Sequence, residues 1–372
     1  MKIIVFHDFL IERGGGERVV SKLLTLTREK IIFTSLYLPN QTYEVFEKAR
    51  IISMDKLFSE IISKNWVLKI LFTIFFFRFF IRRFKSFIEK NFDVAIFSGF
   101  YSIHLAPFIS LPKVYYVHSE PLKHVFKRQS YSVGLFKLLD RLTSWYNKIE
   151  VKSLLSIDTI IANSNYTKKL FEDYGVSVKE VIYPPVDTSK FHYKNKKEYF
   201  LFVGRLLHHK RPHLLIKVFS KVGREKLVII GSGPLAKTIK DLSRKFKNII
   251  FLGGVSDKKL REVYSNCKAV IYITEAEPFG IVPIEANASG KPAIVSAEGG
   301  LPETIVDKVT GIIVHKNYEE NLTRIVRKFE NYKFSASRCI KHAKKFDTKE
   351  FLKKFKKIIH QIKKVKNNER VL

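Results

Sequence analysis

The chain has 372 residues, of which 46% are hydrophobic and 27% are charged, and its formal net charge is +32. This length favours two domains over a single core, and the composition is that of a folded chain and excludes a disordered one. The positive charge leaves three classes of partner open, namely nucleic acid, an anionic membrane surface and phosphorylated small molecules.

Three features of the sequence favour a cytoplasmic protein that does not span a membrane. Only Cys267 and Cys339 are present, which excludes a disulfide scaffold and a cysteine-based metal site. The first residues, MKIIVF, predict a strand and lack the apolar core and cleavage site of a signal peptide. The most apolar segment, 66–88, is interrupted by five lysines and arginines, whereas a spanning helix needs about 20 mostly apolar residues.

Short apolar runs alternate with helical patterns, which predicts parallel sheets. The runs lie at 3–6, 31–33, 94–97, 114–117 and 159–162, and after Pro184-Pro185 at 199–203, 226–230, 249–252, 269–273, 293–296 and 311–314. We predict an α/β protein with two Rossmann-like, doubly wound parallel-sheet domains that face a cleft. The domains would cover 1–183 and 184–345, and a helix over 346–372 would cross back to the first.

A glycine run follows the first predicted strand. Gly14, Gly15 and Gly16 would let backbone N–H groups approach an anion, and the helical pattern from Glu17 would add its positive N-terminal end. Ligands bind beyond the carboxyl ends of parallel strands, so this position favours a phosphate. A tight strand-to-helix turn without a ligand is the open alternative.

Cations and further glycines follow two strands of the second series. The strand that ends at Gly204 is followed by Arg205 and then Lys210, a planar guanidinium and a mobile ammonium that together suit a diphosphate. Solvated surface cations are the alternative. After the next strand, the turn Gly231-Ser232-Gly233 exposes its backbone. Close packing explains these glycines as well as ligand contact does, so Gly233 gives only supporting evidence for a donor site.

The segment EAEPFGIVPIEANASGKPAI carries the most specific pattern. Glu277 and Glu285 are separated by seven residues, and a helix is predicted from Ile281. The amides of Phe279, Gly280 and Ile281 could donate to phosphate oxygens, while the two carboxylates accept hydrogen bonds from sugar and ribose hydroxyls.

These segments resemble the retaining glycosyltransferases of family 4, which have the two-domain GT-B fold. The resemblance rests on VGRLLHHKRPHLLI, on IIGSGPL, and on FLGGVSDKKLREVYSNCKAVIYITEAEPFGIVPIEANASGKPAIVSAEGGLPETI with its Glu277-x7-Glu285 spacing. HDFLIERGGGERVV and YYVHSEP look like the corresponding segments of mannosyltransferase-like members. The similarity covers most of residues 1–345 and is loose between about 36 and 90.

The resemblance implies a role for each candidate site residue. Arg205 and Lys210 would hold the donor diphosphate, Glu285 the ribose, and Glu277 the donor sugar. The amides of 279–281 would also bind the donor, and Gly16 would approach its phosphates from the N-terminal, acceptor-side domain.

His118, which ends the strand VYYVH, corresponds to the family's histidine near the transferred sugar; a structural histidine is the alternative. Ser119-Glu120 departs from the Thr-Pro that mannosyltransferase-like members often have, and this departure bears on sugar and acceptor specificity.

The resemblance implies transfer of a hexose with retention of configuration, with mannose from a GDP donor suggested and UDP donors open. The nucleotide sugar is a substrate; no cofactor and no metal are predicted, because no D-x-D pattern or His/Asp cluster is found and the cations could supply the charge. A GT-B phosphorylase, a non-catalytic subunit and a nucleic-acid-binding basic protein are the alternatives. No nucleic-acid-binding module is recognised, so we expect no nucleic acid partner.

The acceptor is predicted to be a glycan or a lipid-linked glycan. In 66–88, Arg78, Arg82 and Lys85 recur at helical spacing beside many phenylalanines, as in an interfacial helix that binds an anionic membrane surface from the cytoplasmic side. A core helix with a solvated basic face is the alternative.

Overall fold

A computed structural model describes residues 1–53, 56–121 and 148–369. The chain divides into two compact units, which are Met1–Tyr183 with Phe351–Leu372, and Pro184–Glu350. Each unit is built on one parallel sheet covered by helices, and this confirms the predicted α/β class and parallel-sheet architecture.

The first unit contains a seven-stranded sheet in the order β3-β2-β1-β4-β5-β6-β7. Its strands are β1 (Ile3–Leu10), β2 (Ile31–Tyr37), β3 (Arg50–Ile52), β4 (Val94–Ser98), β5 (Lys113–Val117), β6 (Thr159–Ala162) and β7 (Glu180–Val181). Its labelled helices are α1 (Gly15–Leu23), α2 (Lys56–Ser63), α3 (Trp66–Asn91) and α4 (Asn165–Asp173). The strand order reverses between β1 and β4, and this is where doubly wound sheets bind ligands.

The second unit contains a six-stranded sheet in the order β10-β9-β8-β11-β12-β13. Its strands are β8 (Phe200–Val203), β9 (Leu227–Ile230), β10 (Ile249–Gly253), β11 (Ala269–Tyr272), β12 (Ala293–Ser296) and β13 (Gly311–Val314). Its helices are α5 (Pro212–Lys221), α6 (Ala236–Ser243), α7 (Asp257–Asn266), α8 (Val282–Ala288), α9 (Tyr318–Arg327) and α10 (Ala336–Ala343). The last helix, α11 (Thr348–Glu369), belongs to the first unit from Phe351 onward.

Both faces of the first sheet are buried, because alternate residues of β1 enter different hydrophobic cores. Ile4 and Phe6 pack with residues of α3, while Ile3 and Val5 pack with the C-terminal helix α11. The α11 residues buried there are Phe351, Phe355, Ile358, Ile359 and Ile362. The C-terminal helix therefore contributes a hydrophobic layer to the first unit.

Two short strands were not predicted, and several element boundaries differ from the prediction. The strands β3 and β7 have only three and two residues, too few to give a hydrophobic run. β1 continues through His7 and Asp8, which are polar but buried beside neighbouring strands. The helix α1 begins at Gly15, not at Glu17, so two of the three glycines lie in its first turn and Gly14 is its N-cap.

The helix α3 has one face in the core and another in solvent. Phe76, Phe77 and Ile81 are buried, whereas Arg82 and Lys85 are exposed. The side chain of Arg78 lies outside the described residues. Within the part of the chain that is described, no helix is both long and apolar enough to cross a membrane.

Candidate functional site

In the first unit, three polar side chains, among them His7 within β1, meet where β4 and β5 end. The register of β1 and β4 places His7 beside Ser98, and its Nδ1 lies 2.8 Å from the Ser98 carbonyl oxygen and 3.2 Å from Ser98 Oγ. The Nε2 atom of His118 lies 2.6 Å from the same Ser98 hydroxyl. His7 and Ser98 were not predicted as site residues; the His-Asp pair that interrupts the first apolar run was a signal for His7, whereas Ser98 had none.

The structure brings the two predicted residues of this unit, Gly16 and His118, together. A Cβ atom added to Gly16 would lie 4.0 Å from His118 Nδ1 and 3.7 Å from His7 Cε1. The backbone oxygen of His118 accepts a hydrogen bond of 2.7 Å from the Asn163 side chain, which fixes the end of β5. A side chain at position 16 would fill the space in front of the two imidazoles.

Burial keeps both imidazoles neutral. It lowers the pKa of His7 to about 4, although the Ser98 carbonyl opposes the shift. It lowers the pKa of His118 to about 3, and the neighbouring His7 adds to that effect. At neutral pH, His118 therefore offers one N–H donor and one ring nitrogen acceptor.

Asp8, the residue after His7, holds the loop that follows β4. Its carboxylate accepts backbone hydrogen bonds from Phe100 at 2.6 Å, Tyr101 at 3.0 Å and Ser102 at 2.8 Å. Burial outweighs these bonds and raises the pKa of Asp8 to about 6. Gly99 has a φ of +117°, and a Cβ there would come within 2.5 Å of the carboxylate, so the loop requires glycine.

In the second unit, Lys210 and Glu277 form an ion pair beside the end of β11. The Lys210 ammonium contacts Glu277 Oε2 and donates a hydrogen bond of 2.9 Å to the hydroxyl of Tyr272. Burial alone would lower the pKa of Lys210, but Tyr272 and Glu277 outweigh it and raise that pKa. Burial and the Glu277 charge raise the pKa of Tyr272 to about 12. Two predicted site residues are thus in direct contact, with Tyr272 as a third member.

The Glu277 loop is held by a second glycine turn. The Gly300 N–H donates to the Glu277 carbonyl at 2.8 Å, and a Cβ on Gly299 would come within 2.2 Å of that oxygen. Ala276, just before Glu277, has a φ of 45°, which is strained for a residue other than glycine. Loop geometry of this kind positions a carboxylate at the edge of a sheet.

The predicted amide group at 279–281 lies at the start of α8. Ile281 is the N-cap and the helix has only seven residues, so its first turn is about half its length. The Phe279 side chain is buried against Phe346, with ring centroids 5.7 Å apart, so only its backbone can meet a ligand. Gly280 has a φ of +89°, and a Cβ there would clash with Leu301.

Glu285 lies within α8 and is buried. The hydroxyl of Tyr264 donates a hydrogen bond of 2.7 Å to Glu285 Oε2. The residue type of Tyr264, in α7, gave no signal in the sequence. A buried carboxylate with a fixed tyrosine donor is oriented before any ligand arrives.

Arg205 follows the end of β8 and is exposed, whereas the Lys210 side chain is only 12% exposed in its ion pair with Glu277. The glycines after β9 pack against this turn: a Cβ on Gly231 would lie 1.8 Å from the Gly204 oxygen, and one on Gly233 would lie 2.9 Å from Leu206 backbone atoms. Close packing therefore explains both glycines, and a contact between Gly233 and the donor stays a prediction.

Two matched family models cover consecutive parts of the chain. The model for Glycosyltransferase Family 4 matches residues 13–190, and the model for Glycosyl transferases group 1 matches residues 187–346. The matches meet close to residue 184, where the second unit begins.

Curated relatives are similar over parts of their length. An uncharacterized glycosyltransferase of Methanocaldococcus jannaschii is 36% identical over 35% of each chain. The O-antigen chain mannosyltransferase RfbU of Salmonella typhimurium is 34% identical over 50% of this chain and 56% of its own. The O-antigen biosynthesis glycosyltransferase WbnH of Escherichia coli is 27% identical over 59% of this chain and 64% of its own. This chain therefore spans between about a third and two thirds of these relatives.

Solved structures share the fold along nearly the whole chain. Anabaena HepE in complex with UDP has a TM-score of 0.74 at 17% identity, over 97% of this chain and 100% of its own. The sucrose-phosphate synthase of Thermosynechococcus elongatus has a TM-score of 0.72 at 16% identity, over 97% of this chain and 99% of its own. At this identity the similarity establishes the fold, which is that of the GT-B glycosyltransferases.

Proposed function

This chain belongs to glycosyltransferase family 4, and on that basis we propose that it transfers a hexose from a nucleotide-diphosphate sugar to a glycan or lipid-linked glycan, with retention of configuration. The observation that carries the proposal is the ion pair of Lys210 and Glu277 beside β11, together with Glu285 on the following helix, which Tyr264 orients by a hydrogen bond. A cation for a diphosphate and two acceptor-only carboxylates for hydroxyls are the groups that such a donor requires.

Each residue has a role in this reaction. Lys210 and Arg205 stabilise the negative charge that develops on the leaving diphosphate, where preorganised cations contribute most to catalysis. Glu285 accepts hydrogen bonds from the ribose, and Glu277 accepts them from the sugar. The first unit supplies Gly16, which leaves space for the substrate, and the neutral His118 as a hydrogen-bond partner.

The reaction is proposed to need no divalent metal. Among the described residues, no group of three or more His, Cys, Asp or Glu side chains could hold a metal ion. Lys210 and Arg205 supply positive charge at the diphosphate, the task that a metal performs in other transferases. Activity that EDTA abolishes and magnesium restores would contradict this part of the proposal.

The donor is proposed to be a UDP- or GDP-hexose. Solved HepE structures contain UDP and UDP-glucose, and RfbU is named a mannosyltransferase. A thermal-shift and hydrolysis screen of the purified protein against UDP-, GDP- and ADP-hexoses tests this choice. Stabilisation by one nucleotide class, followed by anomer analysis of the product, supports the proposal; a folded protein that responds to none refutes it.

The outer face of α3 supports a peripheral site on an anionic membrane. Phe79 is 70% exposed and Leu68, three turns earlier on the same face, is 47% exposed. Arg82 and Arg83, which follow Phe79 at helical spacing, are exposed, and so is Lys85. Apolar side chains that insert, ringed by cations that attract anionic headgroups, are the features of interfacial helices.

Vesicle flotation tests the membrane site. Vesicles that contain the anionic lipid phosphatidylglycerol should carry the protein upward, and neutral phosphatidylcholine vesicles should not. The double variant Phe79→Ser/Arg82→Glu should remain at the bottom, whereas Leu155→Ser, which removes a side chain that is 77% exposed elsewhere in this unit, should float. If both variants float to the same extent, α3 is not the part of the protein that binds the membrane.

A further inference from the structure

The cluster of His7, Ser98 and His118 contains one hydrogen-bond donor whose identity is fixed by chemistry. A carbonyl oxygen only accepts hydrogen bonds, and His7 Nδ1 lies 2.8 Å from the Ser98 carbonyl. His7 therefore carries its proton on Nδ1. The same N–H lies 3.2 Å from Ser98 Oγ, so the serine hydroxyl also faces a donor on this side.

The direction of the next hydrogen bond follows from the first. Ser98 is buried, and within the described residues its hydroxyl forms hydrogen bonds only with the imidazoles of His7 and His118. Since His7 presents a donor, the hydroxyl proton is satisfied only when it points at His118 Nε2, 2.6 Å away. The opposite arrangement would aim two N–H donors at one oxygen and leave the hydroxyl proton buried without an acceptor, which costs free energy.

The consequence appears on the other side of the His118 ring. A neutral imidazole with an unprotonated Nε2 carries its proton on Nδ1. His118 Nδ1 is the atom that lies 4.0 Å from the position of a Cβ on Gly16, in the first turn of α1. The N–H thus points toward the space that the absent side chain of Gly16 leaves open.

We propose that His7 and Ser98 form a relay that fixes His118 as the Nδ1–H tautomer, so that His118 donates a hydrogen bond to a substrate oxygen and does not act as a base. His7 and Ser98 are positioning residues in this scheme, because they act only through His118. Burial, which keeps both rings neutral above about pH 4, preserves the relay across the working range. The use of the donor in turnover rests on the proposed glycosyl transfer, but the tautomer itself does not.

The first test is spectroscopic and needs no substrate. In protein with ¹⁵N-labelled histidine, the signals of His118 are identified by their loss in His118→Gln. At pH 7 we expect the shift pattern of a neutral ring protonated on Nδ1, and Ser98→Ala should convert it to a mixture of tautomers. Ser98→Thr, which keeps the hydroxyl, should retain the pattern. A wild-type His118 protonated on Nε2 would overturn the relay.

The second test links the tautomer to turnover. With the nucleotide sugar found in the donor screen, Ser98→Ala should lower kcat roughly tenfold and change KM little. A tenfold loss is the size expected from one neutral hydrogen bond. Ser98→Thr, which keeps the hydroxyl, should retain the wild-type kcat. Ser102→Ala is the matched control, because the Ser102 hydroxyl donates to the Ser98 carbonyl at 3.2 Å but lies outside the relay.

The two tests separate the two proposals. The expected tautomer in a protein that turns over no nucleotide sugar supports the relay and refutes the proposed function. Turnover of a nucleotide sugar by a protein whose His118 is protonated on Nε2 supports the proposed function and refutes the relay. A loss of kcat in Ser98→Ala that Ser98→Thr does not rescue, at unchanged melting temperature, also refutes the relay.

Discussion

The two units place their candidate residues at the same position in similar sheets, yet they stabilise them in different ways. In the first unit, His7, Ser98 and His118 are uncharged and joined by hydrogen bonds of 2.6 to 3.2 Å. In the second, Lys210 and Glu277 are charged and stabilise each other, with side-chain exposures of 12% and 15%. A buried charge needs a partner whereas a neutral imidazole needs only hydrogen bonds, so removal of one residue should have larger effects in the second unit.

The largest effect is expected for Lys210→Met. This change removes the cation that is proposed to stabilise the leaving diphosphate, and loss of one such preorganised group typically lowers kcat by about 10²- to 10³-fold. It also leaves the Glu277 carboxylate without its ammonium partner, so the melting temperature should fall. Steady-state kinetics and calorimetry measure both.

Two variants control the Lys210 experiment. Lys237→Met removes an exposed lysine of the same unit and should change neither kcat nor stability. In Glu277→Gln, the amide still accepts a hydrogen bond from Lys210, so the loss of stability should be smaller than in Lys210→Met. If Lys210→Met keeps more than half of the wild-type kcat, charge in the second unit is not the basis of catalysis.

Gly231→Ala should destabilise the second unit by about 3 kcal/mol, because strained backbone and core overpacking add. The glycine has a φ of +149°, and a Cβ there would lie 1.8 Å from the Gly204 oxygen. Gly223→Ala is the control, since nothing lies within 4 Å of its added Cβ. Urea unfolding of both variants measures the difference, and equal stabilities would mean that the turns after β8 and β9 move apart at little cost.

The sequence predicted the strands well where they are buried on both faces. The predictions at 159–162, 293–296 and 311–314 match the bounds of β6, β12 and β13, because unbroken apolar runs identify such strands. β1 was predicted too short because His7 and Asp8 are polar. Their burial depends on hydrogen bonds to Ser98 and to the loop after β4, about 90 residues away, which no local pattern contains.

The site residues divide in the same way. Glu277 and Glu285 were predicted because their spacing is that of a family motif, and Lys210 because it follows the end of a predicted strand together with Arg205. Tyr264 and Ser98 were missed because a lone tyrosine or serine has many structural uses, and their roles depend on which atom they contact. Motif spacing identifies the groups that meet a ligand, whereas the groups that orient them are found only in the folded chain.

The pH dependence of stability should distinguish the neutral site from the charged one. The pKa values of His7 and His118 are lower in the folded chain than the usual 6.5, so the unfolded chain binds more protons below that value. The stability of the first unit should therefore fall as the pH falls from about 6.5 toward 4. Asp8, whose pKa is raised to about 6, opposes this trend, because its protonation on acidification favours the folded state.

Melting temperatures between pH 7 and pH 4 test this balance. The two histidine shifts together exceed that of Asp8, so the wild type should lose stability on acidification. His118→Gln removes the larger histidine contribution and should show a shallower decline over the same range. A decline of equal slope in both proteins would place the acid sensitivity outside this cluster.

The smallest effect is expected for Tyr264→Phe, and it tests whether the second unit also depends on neutral hydrogen bonds. The Tyr264 hydroxyl donates a hydrogen bond of 2.7 Å to the buried Glu285, which is proposed to bind the ribose. Its loss should raise KM for the donor about fivefold, the equivalent of one net hydrogen bond, and leave kcat nearly unchanged. In the control, Tyr199→Phe, the lost hydroxyl bonds the Val263 carbonyl and not a site residue, so KM should not change. A KM effect confined to Tyr264→Phe would mean that the second unit uses a charged pair for the diphosphate and a neutral donor to orient its ribose carboxylate. Unchanged KM in both variants would mean that the Tyr264 hydrogen bond does not matter for donor binding. The charged pair of Lys210 and Glu277 would then be the feature that separates this unit from the neutral cluster of the first.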